Sequence, residues 1–288
     1  MNNLVDIFCD VDDFCAVFIP QWKTQCLTDG TRKRQRSNRM DMSEIMTIII
    51  LFHTSHHRDF KNFYTGYLAR FFKSDFPHLL SYSRFLELMP TTVVPLCSYF
   101  CTIRSQPTRI EFIDSTSIKV CHNLRIPRHK SLSGLASRGK GTMGWFYGFK
   151  LHLIVNHKGG IVAAKITPAV SGMVVNSMDK LYADKGYISK ALASDLLEQG
   201  VTIVNNVRKN MKAKALSLWD RAMLSRRFII ETINDQLKNI SQIEHTRHRS
   251  VHGFMLNMIG GLIAYQLKET KPQLNITNAE FGAIVVMA

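Results

Sequence analysis

The chain is short of acids. Its 37 lysines and arginines face only 22 aspartates and glutamates, which gives a net charge of +15 and a pI near 9.7. Such a field draws in polyanions and speeds their encounter. Nucleic acid is the first candidate and an anionic membrane the second. A basic surface with no specific partner is the bland alternative. Long apolar runs are also missing. Met46–Phe52 is flanked by Glu44 and His53, and Phe254–Tyr265 contains Asn257. A membrane span needs about 20 apolar residues, so both stretches suit buried helices and no membrane anchor is expected. The opening residues, MNNLVDIFCDVDD, are acidic where a secretory signal is basic, and a cytoplasmic location is the expectation. The six cysteines, at positions 9, 15, 26, 97, 101 and 121, form no C-x-x-C pair. That argues against a disulfide framework and leaves buried thiols. Cys97, Cys101, Cys121 and His122 lack the paired spacing of a zinc site. No G-x-x-x-x-G-K-[ST] loop occurs, which argues against an ATP-driven motor. No G-x-S-x-G elbow accompanies Ser115 and Thr116, which argues against an elbow-type serine hydrolase. Internal repeats and low-complexity tracts are absent as well.

What remains is an ordinary globular composition, 45% hydrophobic and 20% charged over 288 residues. That length suffices for one large domain or two modest ones. The first hundred residues read as helical. Apolar positions recur at helical spacing from Val5 to Trp22. A basic loop follows, from Thr28 to Met40, with Arg32, Lys33, Arg34 and Arg36. Asp41 or Ser43 is placed to cap a helix carrying Ile45, Ile48, Ile49 and Phe52. Aromatics at three-to-four spacing fill Phe60–Phe72, and Ser81 opens another short helix. Two short helices around a turn resemble a helix-turn-helix, although helical bundles of any function share that look.

The pattern changes near Arg109. Ile110–Val120 reads as a strand, and Cys121–Gly144 as a long basic loop with Arg125, Arg128, His129, Lys130, Arg138 and Lys140. Trp145–Asn156 and Ile161–Thr167 read as strands joined through a hairpin turn at residues 157–160, with Trp145 and Phe146 anchoring the sheet. Leu181–Asp184 is a short fourth strand and Val201–Val207 a fifth. A helix capped by Ser189 lies between those two, and a long helical pattern covers Leu216–Ile240. Strands followed by alternating helices and strands suggest a mixed five-stranded sheet flanked by helices, an α/β fold. The expected division is a helical region at 1–108, an α/β domain at 109–268 and a tail at 269–288.

Three acids stand out. Asp114 sits inside an apolar strand and Asp184 at the end of another, where carboxylates are depleted. Glu231 lies on the long helix, and Arg227, Glu231 and Lys238 share one helical face by their spacing. A strand acid at a watery edge, or a salt-bridged surface helix, explains each one alone. Together they offer the hard oxygen ligands that magnesium prefers, in a form suited to two-ion phosphoryl transfer. Arg227, Lys238 and Lys119 are the cations placed to hold phosphates. Tyr187, which follows Lys185 and Gly186, is placed either to stack on a base or to pack at the strand end.

The stretches FIDSTSIKVCHN, GFKLHLIVN, YADKGYIS and ETINDQLKNISQIEHTRHRS closely resemble the DDE transposases of bacterial insertion sequences, in particular insertion-sequence family 982. The likeness runs from about Arg109 to Tyr265. It implies an RNase H-like catalytic fold and magnesium-dependent cutting and joining of double-stranded DNA, at element ends and at a target. It also implies two Mg²⁺ ions, with Mn²⁺ as a substitute, and a homodimer assembled on DNA. The helical region at 1–108 becomes the expected DNA-binding part. The family's acids match Asp114, Asp184 and Glu231 as catalytic and metal-binding residues. Arg227 and Lys238 match the basic positions of its last-helix signature, with Leu224 where the family has Tyr. Lys185 and Tyr187 lie in the motif around the second Asp. This chain departs from the family pattern after Pro168, over residues 169–180. That departure keeps a second reading open, in which the chain is an inactive copy that only binds DNA.

His245, His248 and His252 recur at helical spacing without a carboxylate partner, which points to phosphate contact or a solvated helix end. His53, His56 and His57 are explained by core or surface positions.

Overall fold

The computed structural model describes residues 4–30, 38–141, 144–168, 180–184, 202–205, 216–244 and 250–276. The apolar spacing of the first hundred residues produces helices as expected. Helix α1 (Leu4–Thr28) buries Ile7, Val11, Cys15 and Ile19, one residue per turn. Helix α2 (Met42–Thr54) begins at Asp41, whose backbone N–H donates to Glu44 Oε2 at 2.7 Å, an N-terminal bond of the capping-box kind. Its apolar run, Ile45 to Phe52, is buried all round. The aromatic segment forms α3 (Phe60–Asn62), a π-helical turn (Phe63–Leu68) and α4 (Ala69–Phe71). Ser81 caps α5 (Tyr82–Leu88), and a 3₁₀ turn (Met89–Thr92) leads into α6 (Val93–Ile103). The run Tyr82–Ile103 is long and apolar enough to cross a membrane by length and composition. Of its residues, Leu96, Tyr99 and Phe100 are buried in the protein core.

The β-branched stretch after Arg109 forms the centre of a mixed sheet. Strand β1 (Glu111–Cys121) pairs antiparallel with β3 (Gly144–Asn156), and Asp114 lies opposite Leu153. Strand β4 (Ile161–Pro168) pairs antiparallel with β3. On the other side, β5 (Lys180–Ala183) runs parallel to β1, and β6 (Thr202–Asn205) parallel to β5. The region read as a loop contains structure of its own. A 3₁₀ turn covers Asn123–Arg128, and strand β2 (Ser137–Gly141) pairs antiparallel with the start of β3. The six described strands thus follow the order β2-β3-β1-β5-β6, with β4 also on β3. Glycine and charge disguise β2 in the sequence, because its pairing is supplied by β3 rather than by its own side chains. Trp145 does not anchor the sheet: it is 65% exposed, while Phe146 is buried.

The long helical pattern of Leu216–Ile240 is two helices, α7 (Leu218–Ser225) and α8 (Phe228–Asn239), separated at Arg226 and Arg227. No proline or glycine marks this break. The chain turns through short backbone bonds from Ile229 to Arg226 and from Ile230 to Arg227. Helix α8 buries Ile229, Ile230, Ile233 and Leu237 and packs over β1. Helix α9 (Val251–Gln266) then crosses back to the helical region and packs on α2 and α6. Glycine permits that approach: a Cβ on Gly260 would stand 2.7 Å from the His53 ring, and one on Gly261 2.3 Å from Ile243 Cγ2. At its end, Gln266 accepts from Ile161 N at 3.0 Å and donates to Ile103 O at 3.0 Å. That side chain ties the helical region to the β3–β4 hairpin. The described residues form a mixed α/β structure in which helices flank the sheet, an arrangement consistent with an RNase H-like domain.

Candidate active site

Strand register brings the two aspartates together. Ile113 on β1 is level with Ala183 on β5 in a parallel pair, so Asp114 on β1 and Asp184, just past the end of β5, each follow that pair. β5 ends at Ala183, and Asp184 leaves the sheet at the carboxyl end of its strand, where α/β folds gather their ligands. Helix α8 lies over β1 and supplies the remaining groups from its first turns.

One guanidinium joins all three acids. Arg227 Nη1 lies 3.6 Å from Asp114 Oδ1. Its Nη2 lies 3.8 Å from Asp184 Oδ1 and 3.2 Å from Glu231 Oε1. The arginine side chain is only 17% exposed, against 21% for Asp114, 53% for Asp184 and 61% for Glu231. The break between α7 and α8 places Arg227 at the N-cap of α8, with Glu231 in the first turn. There the partial positive charge of the helix end favours a carboxylate. The other oxygen of Asp114, Oδ2, accepts from Asn234 Nδ2 at 3.2 Å.

The electrostatics are strained. Burial raises the Asp114 carboxyl above the ordinary carboxylate range. Arg227 and the Ser115 backbone N–H pull it down, while Asp184 and Glu231 push it up again. Two buried polar atoms, Arg227 Nη1 and Asn234 Oδ1, make no hydrogen bond among the described residues. At 3.6 Å, Nη1 is an ion-pair neighbour of Asp114 but too far for a hydrogen bond. Among the described residues, three carboxylates stand against one guanidinium, an excess of negative charge in a partly desolvated place.

Among the described residues, no three His, Cys, Asp or Glu side chains stand close enough together to hold a metal ion. The acids face one arginine fork and are spread around it. A magnesium ion takes its oxygens at about 2.0–2.1 Å, so the present spacing is that of a guanidinium. The donor set itself fits a hard divalent cation: three carboxylates, one of them desolvated, and an excess of negative charge that calls for positive charge.

The other sequence-chosen residues lie elsewhere. Lys238 pairs with Glu244 at 3.2 Å, further along α8. Lys119 is exposed on β1, five residues beyond Asp114 and on the alternate face. Lys185 and Tyr187 lie outside the described residues, as do the helix expected after Ser189, the altered segment 169–179, His245, His248 and most of the basic loop near Arg32. His53 is a core residue: its Nδ1 is 2.7 Å from Ser241 O, and burial lowers its pKa to about 4. Asn234 escaped the sequence reading. Its signal was present, since an asparagine one turn after Glu231 lies on the same face of the helix.

Comparison with known families gives a match over the catalytic stretch. The family model described as a transposase DDE domain matches residues 104–251, just over half of the chain. The matched stretch contains β1 to β6, α7 and α8, and hence the three carboxylates, Arg227 and Asn234. A comparison with curated proteins gives no match.

Proposed function

The chain belongs to the transposase DDE-domain family, and on that premise we propose that it cuts and joins DNA at the ends of an insertion sequence, with Asp114, Asp184 and Glu231 as its catalytic carboxylates. The carrying observation is their convergence on Arg227 at 3.2–3.8 Å from two strand positions and a helix. Magnesium ions, or manganese in their place, held by these three side chains would polarise the scissile phosphate and activate the attacking oxygen. Asp114, the most buried of these three and the one held by both Arg227 and Asn234, is the fixed member. Asp184 and Glu231, at the exposed rim, are free to adjust.

The reaction is two phosphodiester exchanges. Water first attacks the phosphodiester at the element's end and leaves a free 3′-hydroxyl. That hydroxyl then attacks a phosphodiester of the target, and the displaced target hydroxyl takes the proton. Arg227 suits the transferring phosphate, because its fork matches two phosphate oxygens. Lys238 and Lys119, with Lys185 and Tyr187 near the second aspartate, are the proposed contacts to the flanking DNA. In this reading residues 1–108 bind DNA and residues 109–268 catalyse, in a bacterial, cytoplasmic homodimer assembled on DNA as in insertion-sequence family 982. In purified protein, Asp114→Ala should bind DNA as the unaltered chain does and fail to cut it with Mg²⁺. Undiminished cutting sinks the assignment.

A second reading is favoured by one observation, the spread of the acids around a guanidinium rather than around a metal-sized centre. It makes the chain a DNA-binding copy without catalysis. Tight binding with no cutting by the unaltered chain, in either Mg²⁺ or Mn²⁺, selects it.

A further inference from the structure

From Ser115 to Met178 the sequence contains no aspartate or glutamate, while Lys119, Arg125, Arg128, Lys130, Arg138, Lys140, Lys150, Lys158 and Lys165 fall within it. The middle of that stretch folds into a ribbon. Strand β2 pairs with the start of β3 so that Lys140 lies opposite Trp145 and Arg138 opposite Tyr147. Residues directly opposite in an antiparallel pair share a face, so Arg138, Lys140 and Trp145 stand together. Arg138 and Lys140 are exposed, and Trp145 is 65% exposed beside them. The preceding 3₁₀ turn is pinned to the ribbon by Asn123, whose Nδ2 donates to Trp145 O at 2.9 Å. It adds exposed Arg125 and Arg128. An indole left in water among cations is a poor way to build a sheet and a good way to meet a polyanion that has flat faces.

We propose that this β2–β3 ribbon is a second DNA-contacting surface, whose cations track the phosphate backbone while Trp145 stacks on an unpaired base. The inference rests on the DNA reading of the carboxylate site and extends it. Strand alternation puts Trp145 on the same face as Leu153, the residue opposite Asp114. Eight residues of strand separate them, roughly 26 Å at 3.3 Å per residue. That is about eight base pairs of duplex at 3.4 Å each. One DNA molecule lying along the sheet can therefore touch both places, with the ribbon holding DNA that the carboxylates do not reach.

The test is binding without metal. Fluorescence anisotropy in EDTA would follow the full-length protein on a labelled 24-base-pair blunt duplex, and on the same duplex with a five-nucleotide single-stranded tail. Double substitution Arg138→Gln with Lys140→Gln should weaken binding to both probes. It should also flatten the plot of log association constant against log salt by about 1.8, or 0.9 per lost phosphate contact. Trp145→Ala should leave the salt slope unchanged and weaken binding to the tailed probe about tenfold, and Trp145→Phe should restore most of that loss. Unaltered affinity and slope in the Gln variant, beside normal binding by the parent, overturn the ribbon alone. Equal weakening of both probes by Trp145→Ala overturns the stacking role. A parent protein that binds neither probe overturns the ribbon and the proposed function together.

Discussion

The joint between the helices and the sheet is made very differently from the carboxylate site. At the joint, α9 lies in apolar contact with α2 and α6, and each polar group cited there has a near partner. His53 Nδ1 faces Ser241 O at 2.7 Å, Asn257 Nδ2 donates to Ile243 O at 3.1 Å, and Tyr265 Oη donates to Gly159 O at 2.8 Å. At the carboxylates, contacts stretch to 3.6 and 3.8 Å, and two buried atoms make no hydrogen bond among the described residues. The first region also leaves two buried atoms, Thr47 Oγ1 and Gln242 Oε1, without a hydrogen-bond partner among the described residues, but both belong to neutral groups. The second sets three carboxylates around one guanidinium, an arrangement that a bound cation relieves.

Four substitutions sharpen that contrast. The largest effect is expected at the joint. Ile263, fully buried on α9, should lose about 3–4 kcal/mol of stability on replacement by Ala. Denaturant titration should show the same loss with or without Mg²⁺. Next comes Arg227→Ala, which strands the Asp114 carboxylate. Removing one partner of a buried pair costs about 3–5 kcal/mol. Here about 2 kcal/mol is expected, since Asp184 and Glu231 stay in contact with solvent. Millimolar Mg²⁺ should return more of that loss to the variant than it adds to the parent. Equal Mg²⁺ effects on the two proteins would break the comparison. Asn234→Ala should cost about 1 kcal/mol and weaken Mg²⁺ binding measured by calorimetry, because Asp114 loses the donor that orients it.

The smallest effect has the opposite sign. The folded Asp114 carboxyl lies above its unfolded value, chiefly through burial. Its ionised form therefore weighs against the folded state at neutral pH, and that penalty disappears as pH falls through the folded pKa. Asp114→Asn should raise the melting temperature by a few degrees at pH 7 in EDTA. The gain should shrink as the pH is lowered into the range where the parent carboxyl takes up its proton. A lower melting temperature at pH 7 would mean that the attraction of Arg227 outweighs burial.

The helical first third, the central β1, the β3–β4 hairpin and the short β5, read as Leu181–Asp184 and found at Lys180–Ala183, were legible because periodicity and turn residues report local preference directly. Strand β2 was not, because SRGKG has no strand pattern and owes its pairing to β3. The break at Arg226 and Arg227 was hidden for the same kind of reason: no helix breaker marks it, and it falls at the residue whose ion pairs are tertiary. Trp145 was misread because a large aromatic at a strand start is usually buried, and only the ribbon's position at the sheet's end leaves it in water. Asn234 was visible by spacing yet indistinguishable from any polar helix residue until its partner on β1 was known.

By itself the sequence singled out the three acids, one on a strand, one at a strand's end and one on a helix, and the net positive charge of the chain, since these follow from composition and spacing. Tertiary structure alone decided that strand register levels Asp114 with Asp184, that a break between helices turns Arg227 inward to hold all three, and that one ribbon gathers cations around an exposed tryptophan. The reason is physical. Periodicity fixes which face a residue takes within its own element, whereas the distance between charges on different elements depends on how those elements pack.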